Sequence, residues 1–139
     1  MKTIILYYSL GGHTKAEAEK LAAQRDAEMY AIEEVKRRNI LNAVIPGCFH
    51  ARNRKASEIK ALSVDLNAYD RILIGAPIWG GFPSPAFNSM IELLPEEKEV
   101  ELFFCSGGGD SSMSSEGTRR MVAARNCTLV EYRDIKTGK

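Results

Sequence analysis

The stretch TIILYYSLGGHT, residues 3–14, contains the three features that decide the fold. Its first six residues are aliphatic, β-branched or aromatic without polar alternation, which favours a strand buried on both faces of a parallel sheet. Two glycines follow and end the strand. Thr14, Ala18 and Leu21 then recur at helical spacing, so the stretch predicts a strand, a tight turn and a helix in direct succession.

Strand-like and helix-like segments continue to alternate through the rest of the chain. Four further segments are predicted as strands, at residues 28–35, 71–74, 101–104 and 128–135. Helical spacing is clearest at residues 87–94, and a weaker helix is predicted for residues 116–125. This alternation predicts one doubly wound α/β domain over residues 1–139, with a five-stranded parallel sheet.

Composition limits the classes of protein to which the chain belongs. It has 139 residues, of which 45% are hydrophobic, enough to fill one core. Charged residues make up 27%, yet the formal net charge is only +1. The chain as a whole therefore has neither the positive electrostatic field that attracts nucleic acid nor a strongly acidic surface. No apolar run has the length of a membrane span or the form of a secretory signal, so we expect a cytoplasmic protein without membrane contact.

The three cysteines, Cys48, Cys105 and Cys127, do not form a recognisable pattern. They are odd in number, far apart and without C-x-x-C spacing, so neither a disulfide framework nor a zinc site is predicted. Cys105 follows a predicted strand and has no histidine near it in the sequence, which favours a small core residue over a nucleophile. We therefore predict no catalytic cysteine and no metal site.

Doubly wound sheets bind their ligands outside the carboxyl ends of the strands, at the point where the strand order reverses. That rule selects three loops, at residues 9–14, 76–85 and 106–115, each of which follows a predicted strand. We refer to them as the first, second and third loops. Residues 39–60 are predicted as a loop with some helix, without defined boundaries.

The first loop contains the components of an anion-binding site. Ser9 and Thr14 supply hydroxyl groups, the two glycines leave backbone amides unhindered, and a predicted helix N-terminus lies behind them. The loop matches neither G-x-x-x-x-G-K-[ST] nor G-x-G-x-x-G, so a terminal phosphate fits it better than a triphosphate or a pyrophosphate. The alternative is a simple glycine turn in which Thr14 caps the helix.

Three segments resemble the flavodoxin family in order and spacing: YYS at residues 7–9 ahead of a Gly-x-Thr, GAPIWGG at residues 75–81, and FCSGGG at residues 104–109. The resemblance covers nearly the whole chain. It implies a flavodoxin-like fold with sheet order 2-1-3-4-5, and FMN bound where that order reverses. The family usually adds a helix after the fifth strand, whereas this chain stops soon after it, so we expect that last helix to be missing.

By the same resemblance, each loop contacts a different part of FMN. The phosphate is expected against Ser9, Leu10, Gly11, Gly12, His13 and Thr14. One side of the isoalloxazine is expected against Pro77, Ile78, Trp79 and Gly80. Its pyrimidine edge or the ribityl chain is expected against Ser106, Gly107, Gly108, Gly109 and Asp110. This division agrees with physical chemistry, since a flat ring needs an aromatic platform and a phosphate needs oriented N–H and O–H donors.

The first and third loops each depart from the flavodoxin family's pattern, and Trp79 has two possible interpretations. Gly11 stands where a hydroxyl residue is common. The third loop has no aromatic residue, so the outer face of the ring is expected to be open or covered by Met113. Trp79, the only tryptophan, is interpreted as part of the cofactor wall, with a core or loop-anchoring role as the alternative.

A protein of this type transfers electrons or hydride, and the flavin carries the chemistry. Dedicated flavodoxin carriers are strongly acidic, whereas this chain is nearly neutral, so we favour an oxidoreductase that uses NAD(P)H or a quinone-like molecule. The alternatives are a one-electron carrier that serves a protein partner and, from another class, a flavin-free interaction module on the same fold. Neither nucleic acid nor a membrane is an expected partner, and the oligomeric state is left open.

A basic stretch at residues 36–60 supports the preference for an oxidoreductase. Its cations are Lys36, Arg37, Arg38, Arg52, Arg54, Lys55 and Lys60, against the single acid Glu58. If the stretch lies near the cofactor, it attracts an anionic substrate, a nicotinamide nucleotide or an acidic partner protein. The alternative is a solvated loop without a ligand.

Overall fold

The computed structural model describes residues 1–39, 41 and 46–137, and the elements named below lie within them. The strands are β1 (Thr3–Tyr7), β2 (Glu28–Ala31), β3 (Arg71–Trp79), β4 (Phe82–Pro83), β5 (Glu99–Ser106) and β6 (Thr128–Lys136). The α-helices are α1 (His13–Arg25), α2 (Cys48–Arg52), α3 (Pro85–Glu92) and α4 (Ser112–Ala124). A 3₁₀ turn, Leu66–Ala68, precedes β3. None of the helices described is both long and apolar enough to span a bilayer.

The sheet has the parallel, doubly wound arrangement that the alternating pattern predicts. Its strands lie in the order β2-β1-β3-β5-β6, and the short β4 pairs antiparallel with the end of β3. The predicted fold class and the predicted order 2-1-3-4-5 are therefore confirmed, with β5 and β6 as the fourth and fifth parallel strands. The order reverses between β1 and β3, so a ligand is expected at their carboxyl ends.

Each face of the sheet packs against helices through alternate residues of the strands. On one face, Ile4, Leu6 and Ile74 join a large cluster with residues of α3 and α4. On the other face, Ile5 and Leu73 join a smaller cluster with residues of α1. Since successive residues of a strand point to opposite faces, an unbroken apolar run such as that of β1 serves both clusters.

The second predicted strand, residues 28–35, is too long. β2 ends at Ala31 because its neighbour β1 ends at Tyr7, and these two residues are the last pair of their register. The chain then leaves the sheet, and Glu34 forms an isolated antiparallel bridge with Ile59. The residues after Ala31 have a strand-like composition, but β1 offers them no residue to pair with, so the strand ends before them.

Three other predicted elements are too short at one or both ends. β3 continues to Trp79 instead of stopping at residue 74, because β5 pairs with it as far as Pro77 and β4 then folds back on it. β5 is likewise longer than residues 101–104, and α4 begins before residue 116. Residues 39–60, predicted as a loop with some helix, contain α2, while residues 40 and 42–45 lie outside the described residues.

Candidate functional site

A cleft of about 290 Å³ lies at the carboxyl ends of β1, β3 and β5. Residues of all three predicted loops line it, which the topology explains because these strands are neighbours in the sheet. Small-molecule sites range from roughly 300 to 1,000 Å³, so the cleft is near the lower end of that range.

The first loop turns from β1 into α1 with its glycines facing free space. Gly12 is the N-cap of α1 in the left-handed conformation, with φ of 95°, and its N–H donates to Ser9 Oγ at 3.1 Å. A Cβ added at Gly11 or Gly12 would meet no atom within 4 Å. The loop therefore leaves room beside backbone amides at the positive end of the helix dipole, where anions bind favourably.

Thr14 does not cap α1, so that alternative interpretation is wrong. The N-cap is Gly12, which makes no side-chain capping bond, and Thr14 lies inside the helix with only 2% of its surface exposed. Its hydroxyl contacts the thiol of Cys105. Burial raises the pKa of the Cys105 thiol and outweighs the lowering effect of the bond with Thr14, so the thiol stays protonated near neutral pH.

The second loop is largely a β-hairpin. Pro77, Ile78 and Trp79 belong to β3, and the turn that follows uses Gly80 and Gly81 in the left-handed region, with φ of 61° and 89°. Glycine is suited to these positions because other residues are strained there. Strand pairing therefore positions Pro77, Ile78 and Trp79, which the sequence predicted as part of a loop.

Two residues of a hydrogen-bonded network pack against the indole ring of Trp79, which lines the cleft. The Tyr8 ring packs edge-on against it, with centroids 6.1 Å apart, and the Arg38 guanidinium carbon lies 5.5 Å from its centroid. Both of these residues bond to the buried carboxylate of Glu34: the Tyr8 hydroxyl at 2.5 Å and Arg38 Nε at 3.0 Å. Burial, together with the bond to Glu34, raises the pKa of the Tyr8 hydroxyl, which remains a donor. Trp79 thus lines the cleft and also packs on the core, so its core role is confirmed and its contact with a cofactor stays a prediction.

The third loop begins with the same turn as the first. Ser106 Oγ accepts from the N–H of Gly109 at 2.8 Å, and a Cβ added at Gly107 or Gly108 would meet no atom within 4 Å. Gly109 differs, because its added Cβ would lie 2.6 Å from Cβ of Lys136 on β6. Asp110 Oδ1 accepts from the N–H of Ser112 at 2.6 Å, at the start of α4, and this bond lowers the pKa of Asp110.

The cleft brings together ten of the fifteen predicted contact residues. Those that line it are Ser9, Leu10, Gly11, His13, Thr14, Pro77, Ile78, Trp79, Ser106 and Gly107. The predicted residues outside the lining are Gly12, Gly80, Gly108, Gly109 and Asp110. They belong to the same turns, but their local roles are a helix cap, a hairpin turn and the start of a helix. Met113 also lies outside the lining, with its side chain against the turn at Gly81.

Sequence reasoning missed three lining residues: Cys48, Cys105 and Thr137. Thr137 follows β6, and its N–H donates to the carbonyl of Ser106 at 2.9 Å, so the register of the last two parallel strands brings it to the cleft. Cys105 was predicted as a core residue, and it is both buried and part of the cleft floor. Cys48 lies on α2, and no pattern in the sequence links that helix to this edge of the sheet.

Arg54 of the basic stretch is a structural residue, which corrects its interpretation as a solvated or ligand-binding cation. Its guanidinium donates at 2.9 Å both to Thr118 Oγ1 and to the carbonyl of Ser114 on α4, and lies 5.2 Å from the ring centroid of Phe82. Burial lowers its pKa. Five other cations of the stretch are exposed: Lys36, Arg37, Arg52, Lys55 and Lys60.

Comparison with known proteins was made by sequence and by structure. No protein-family model matches the chain, and no curated protein matches it in sequence. A flavoprotein in complex with FMN from Lactobacillus acidophilus NCFM has a TM-score of 0.81 and 27% identity, over 96% of this chain and 93% of that one. A structure from Bacteroides eggerthii described as a flavoprotein has a TM-score of 0.82 and 25% identity, over 95% of this chain and 86% of that one. Flavodoxin 1 from Bacillus cereus has a TM-score of 0.58 and 15% identity, over 100% and 86%, and shares the fold.

Proposed function

We propose that this chain, which has the flavodoxin-like fold of these structures, is an FMN-dependent oxidoreductase that binds its cofactor in the cleft. One observation carries the proposal: a helix N-terminus, glycines that face free space and an aromatic wall converge on a single cleft at the switch point. The FMN complex of the similar flavoprotein from Lactobacillus acidophilus adds support.

The first loop suits the phosphate of FMN. The open faces of Gly11 and Gly12 let a phosphate oxygen approach the backbone closely. The Ser9 oxygen already accepts one N–H, which leaves its own hydroxyl proton free to donate to an anion. Positive potential at the start of α1 favours the dianion.

The hairpin and the third loop suit the flavin ring. Pro77, Ile78 and Trp79 supply apolar and aromatic groups to the lining, while Ser106 and Gly107 add a hydroxyl and backbone groups. FMN supplies hydride and electron transfer when bound, and the protein binds it, orients it and excludes water from one face. The near-neutral charge of the chain favours a reductase over an acidic carrier.

Cofactor binding is tested by titrating the protein with FMN and, in parallel, with riboflavin, which lacks the phosphate. We expect FMN to bind with quenched flavin fluorescence, and riboflavin to bind at least about tenfold more weakly, because the first loop loses its anion. A protein that ignores FMN, or that binds both flavins equally, contradicts the proposal.

Thr14→Val separates the phosphate contact from general effects on the fold. We expect it to weaken FMN binding by about 1 to 3 kcal/mol, since a buried donor to a charged group is lost, and to leave riboflavin binding unchanged. Thr128→Val, at an exposed position of β6, is the matched control. Equal losses for both flavins would show that Thr14 supports the fold and not the phosphate.

The class of reaction is tested by anaerobic stopped-flow mixing of the FMN-loaded protein with NADH and with NADPH. Rapid loss of flavin absorbance with either nucleotide supports the reductase. If neither nucleotide reacts while a reduced carrier protein does, the chain is a one-electron carrier instead.

A further inference from the structure

A second cavity, which we call the basic cavity, lies beside the cleft. Its volume is about 430 Å³. It is formed by the segment after β2, by Pro46 and His50 before and within α2, by the segment after α2, and by the first residue of α3. The proposed FMN site does not use it. Its size falls within the range of roughly 300 to 1,000 Å³ that is typical of small-molecule sites.

Positive charge dominates the wall of the basic cavity. Lys36, Arg37, Arg38 and Lys55 line it, against the carboxylates of Glu34 and Glu58. Glu34 is engaged by Arg38 and by a tyrosine hydroxyl, so its charge is already matched. The side chains at positions 36, 37 and 55 are exposed and available to an anion.

A buried hydroxyl in the same wall lacks a hydrogen-bond partner. The Ser57 side-chain oxygen is shielded from solvent, and the residues that the structure describes offer it no donor or acceptor. Buried polar groups are rarely left unpaired in folded proteins. Ligand binding that turns this side chain toward the cavity would give its hydroxyl a partner.

Arg38 connects the basic cavity with the cleft. Its guanidinium lines the cavity and lies 5.5 Å from the ring centroid of Trp79, which lines the cleft. A smaller depression of about 230 Å³ also touches both, through Ser9 on one side and Arg37 on the other. A ligand in the cavity would therefore be next to the cofactor wall.

We propose that the basic cavity is a second binding site, for a small phosphate-bearing ligand of nucleotide size. The concave shape favours a small molecule over the broad surface of an acidic protein. Its guanidinium and ammonium groups match phosphate oxygens, and its volume exceeds the need of an inorganic ion. The site goes beyond the binding of FMN and stands without it.

The test is a calorimetric titration of the full chain, with and without FMN, using adenosine 2′,5′-bisphosphate, 5′-AMP, inorganic phosphate and adenosine as probes. We expect the bisphosphate to bind most tightly and adenosine not to bind. Because Trp79 is the only tryptophan and Arg38 covers it, binding should also change the intrinsic fluorescence of the protein. Both signals are independent of flavin chemistry, so they can succeed where FMN binding fails.

The double variant Arg37→Ala with Lys55→Ala removes two exposed cations of the wall. We expect roughly tenfold weaker binding of the bisphosphate and unchanged FMN affinity. The matched control is Lys20→Ala with Arg120→Ala, two exposed cations outside the cavity, which should change the affinity less than about twofold. The proposal is overturned if adenosine binds as well as the bisphosphate, if the double variant binds normally, or if inorganic phosphate binds as tightly as the bisphosphate.

Discussion

The amino-terminal half of β5 and the loop that follows the strand differ in how their polar groups are paired. In its amino-terminal half, Glu101 has a side chain that is only 2% exposed, with Arg25 Nη1 at 2.5 Å and Arg71 Nη1 at 3.0 Å from its Oε2. Beyond its carboxyl end, Gly107 and Gly108 present their backbone to free space. The protein itself pairs the Glu101 carboxylate in the first region, through Oε2, whereas backbone groups face open space in the second.

Packing around the glycines of the sheet and of the loops differs in the same way. A Cβ added at Gly75, inside β3, would lie 2.1 Å from ring carbons of Phe103. The same addition at Gly11 would meet nothing within 4 Å. Glycine serves close packing in one region and leaves open space in the other, so substitutions should separate stability from the proposed binding.

The largest expected effect is that of Glu101→Gln. It leaves Arg25 and Arg71 partly buried without their shared carboxylate, which should lower the free energy of unfolding by about 3 kcal/mol, measured in urea. FMN affinity should not change, because Glu101 does not line the cleft. Glu116→Gln, in an exposed pair with Arg120, is the control and should cost less than about 0.5 kcal/mol.

The same carboxylate makes the stability depend on pH. Burial raises the pKa of Glu101, but the guanidinium groups of Arg25 and Arg71 outweigh it and hold the pKa below its ordinary value. Its stabilisation is therefore present above the ordinary carboxyl pKa of about 4.3 and is lost as the pH falls through the lowered value. Glu101→Gln should flatten this acid limb, and an unchanged pH profile would contradict the assignment.

Gly75→Ala is expected to have the next largest effect. The new methyl group collides with the buried ring of Phe103, and such overpacking costs about 1 to 3 kcal/mol of unfolding free energy. Adding Phe103→Leu removes the collision, so the double variant should be more stable than the sum of the single changes predicts. Additive losses would show that the ring does not occupy the space above Gly75.

Local sequence patterns predicted the sheet because each strand is indicated by a short run of apolar and β-branched residues. The run that forms β1, and the spacing that forms α3, need no knowledge of distant residues. Strand ends are different, since β2 stops where β1 stops and β3 continues because β4 folds back on it. The Gly80-Gly81 pair is a two-residue hairpin signal that would have predicted this turn.

The site was predictable where a single loop determines the geometry. Five of the six residues of the first loop line the cleft. They were predictable because the turn from β1 into α1 depends only on neighbouring residues. The third loop was predicted less well, because Lys136 of a distant strand decides that Gly109 is packed while Gly107 is open. Arg54 was misinterpreted for the same reason, as its partners lie on α4, far along the chain.

The smallest expected change in stability is that of Gly107→Ala, paired with Gly109→Ala. Gly107 has no positive φ and faces free space, so alanine should change the free energy of unfolding of the apoprotein by less than about 0.5 kcal/mol. Its methyl group enters the cleft, so FMN affinity should fall severalfold. Gly109 has φ of 71° and packs against Lys136, so alanine there should cost more than about 1 kcal/mol of stability. Thermal unfolding of both apoproteins, together with FMN titrations, measures the effect of each substitution on stability and on binding. Equal destabilisation by the two substitutions would mean that the loop at Gly107 is packed and not open to a ligand.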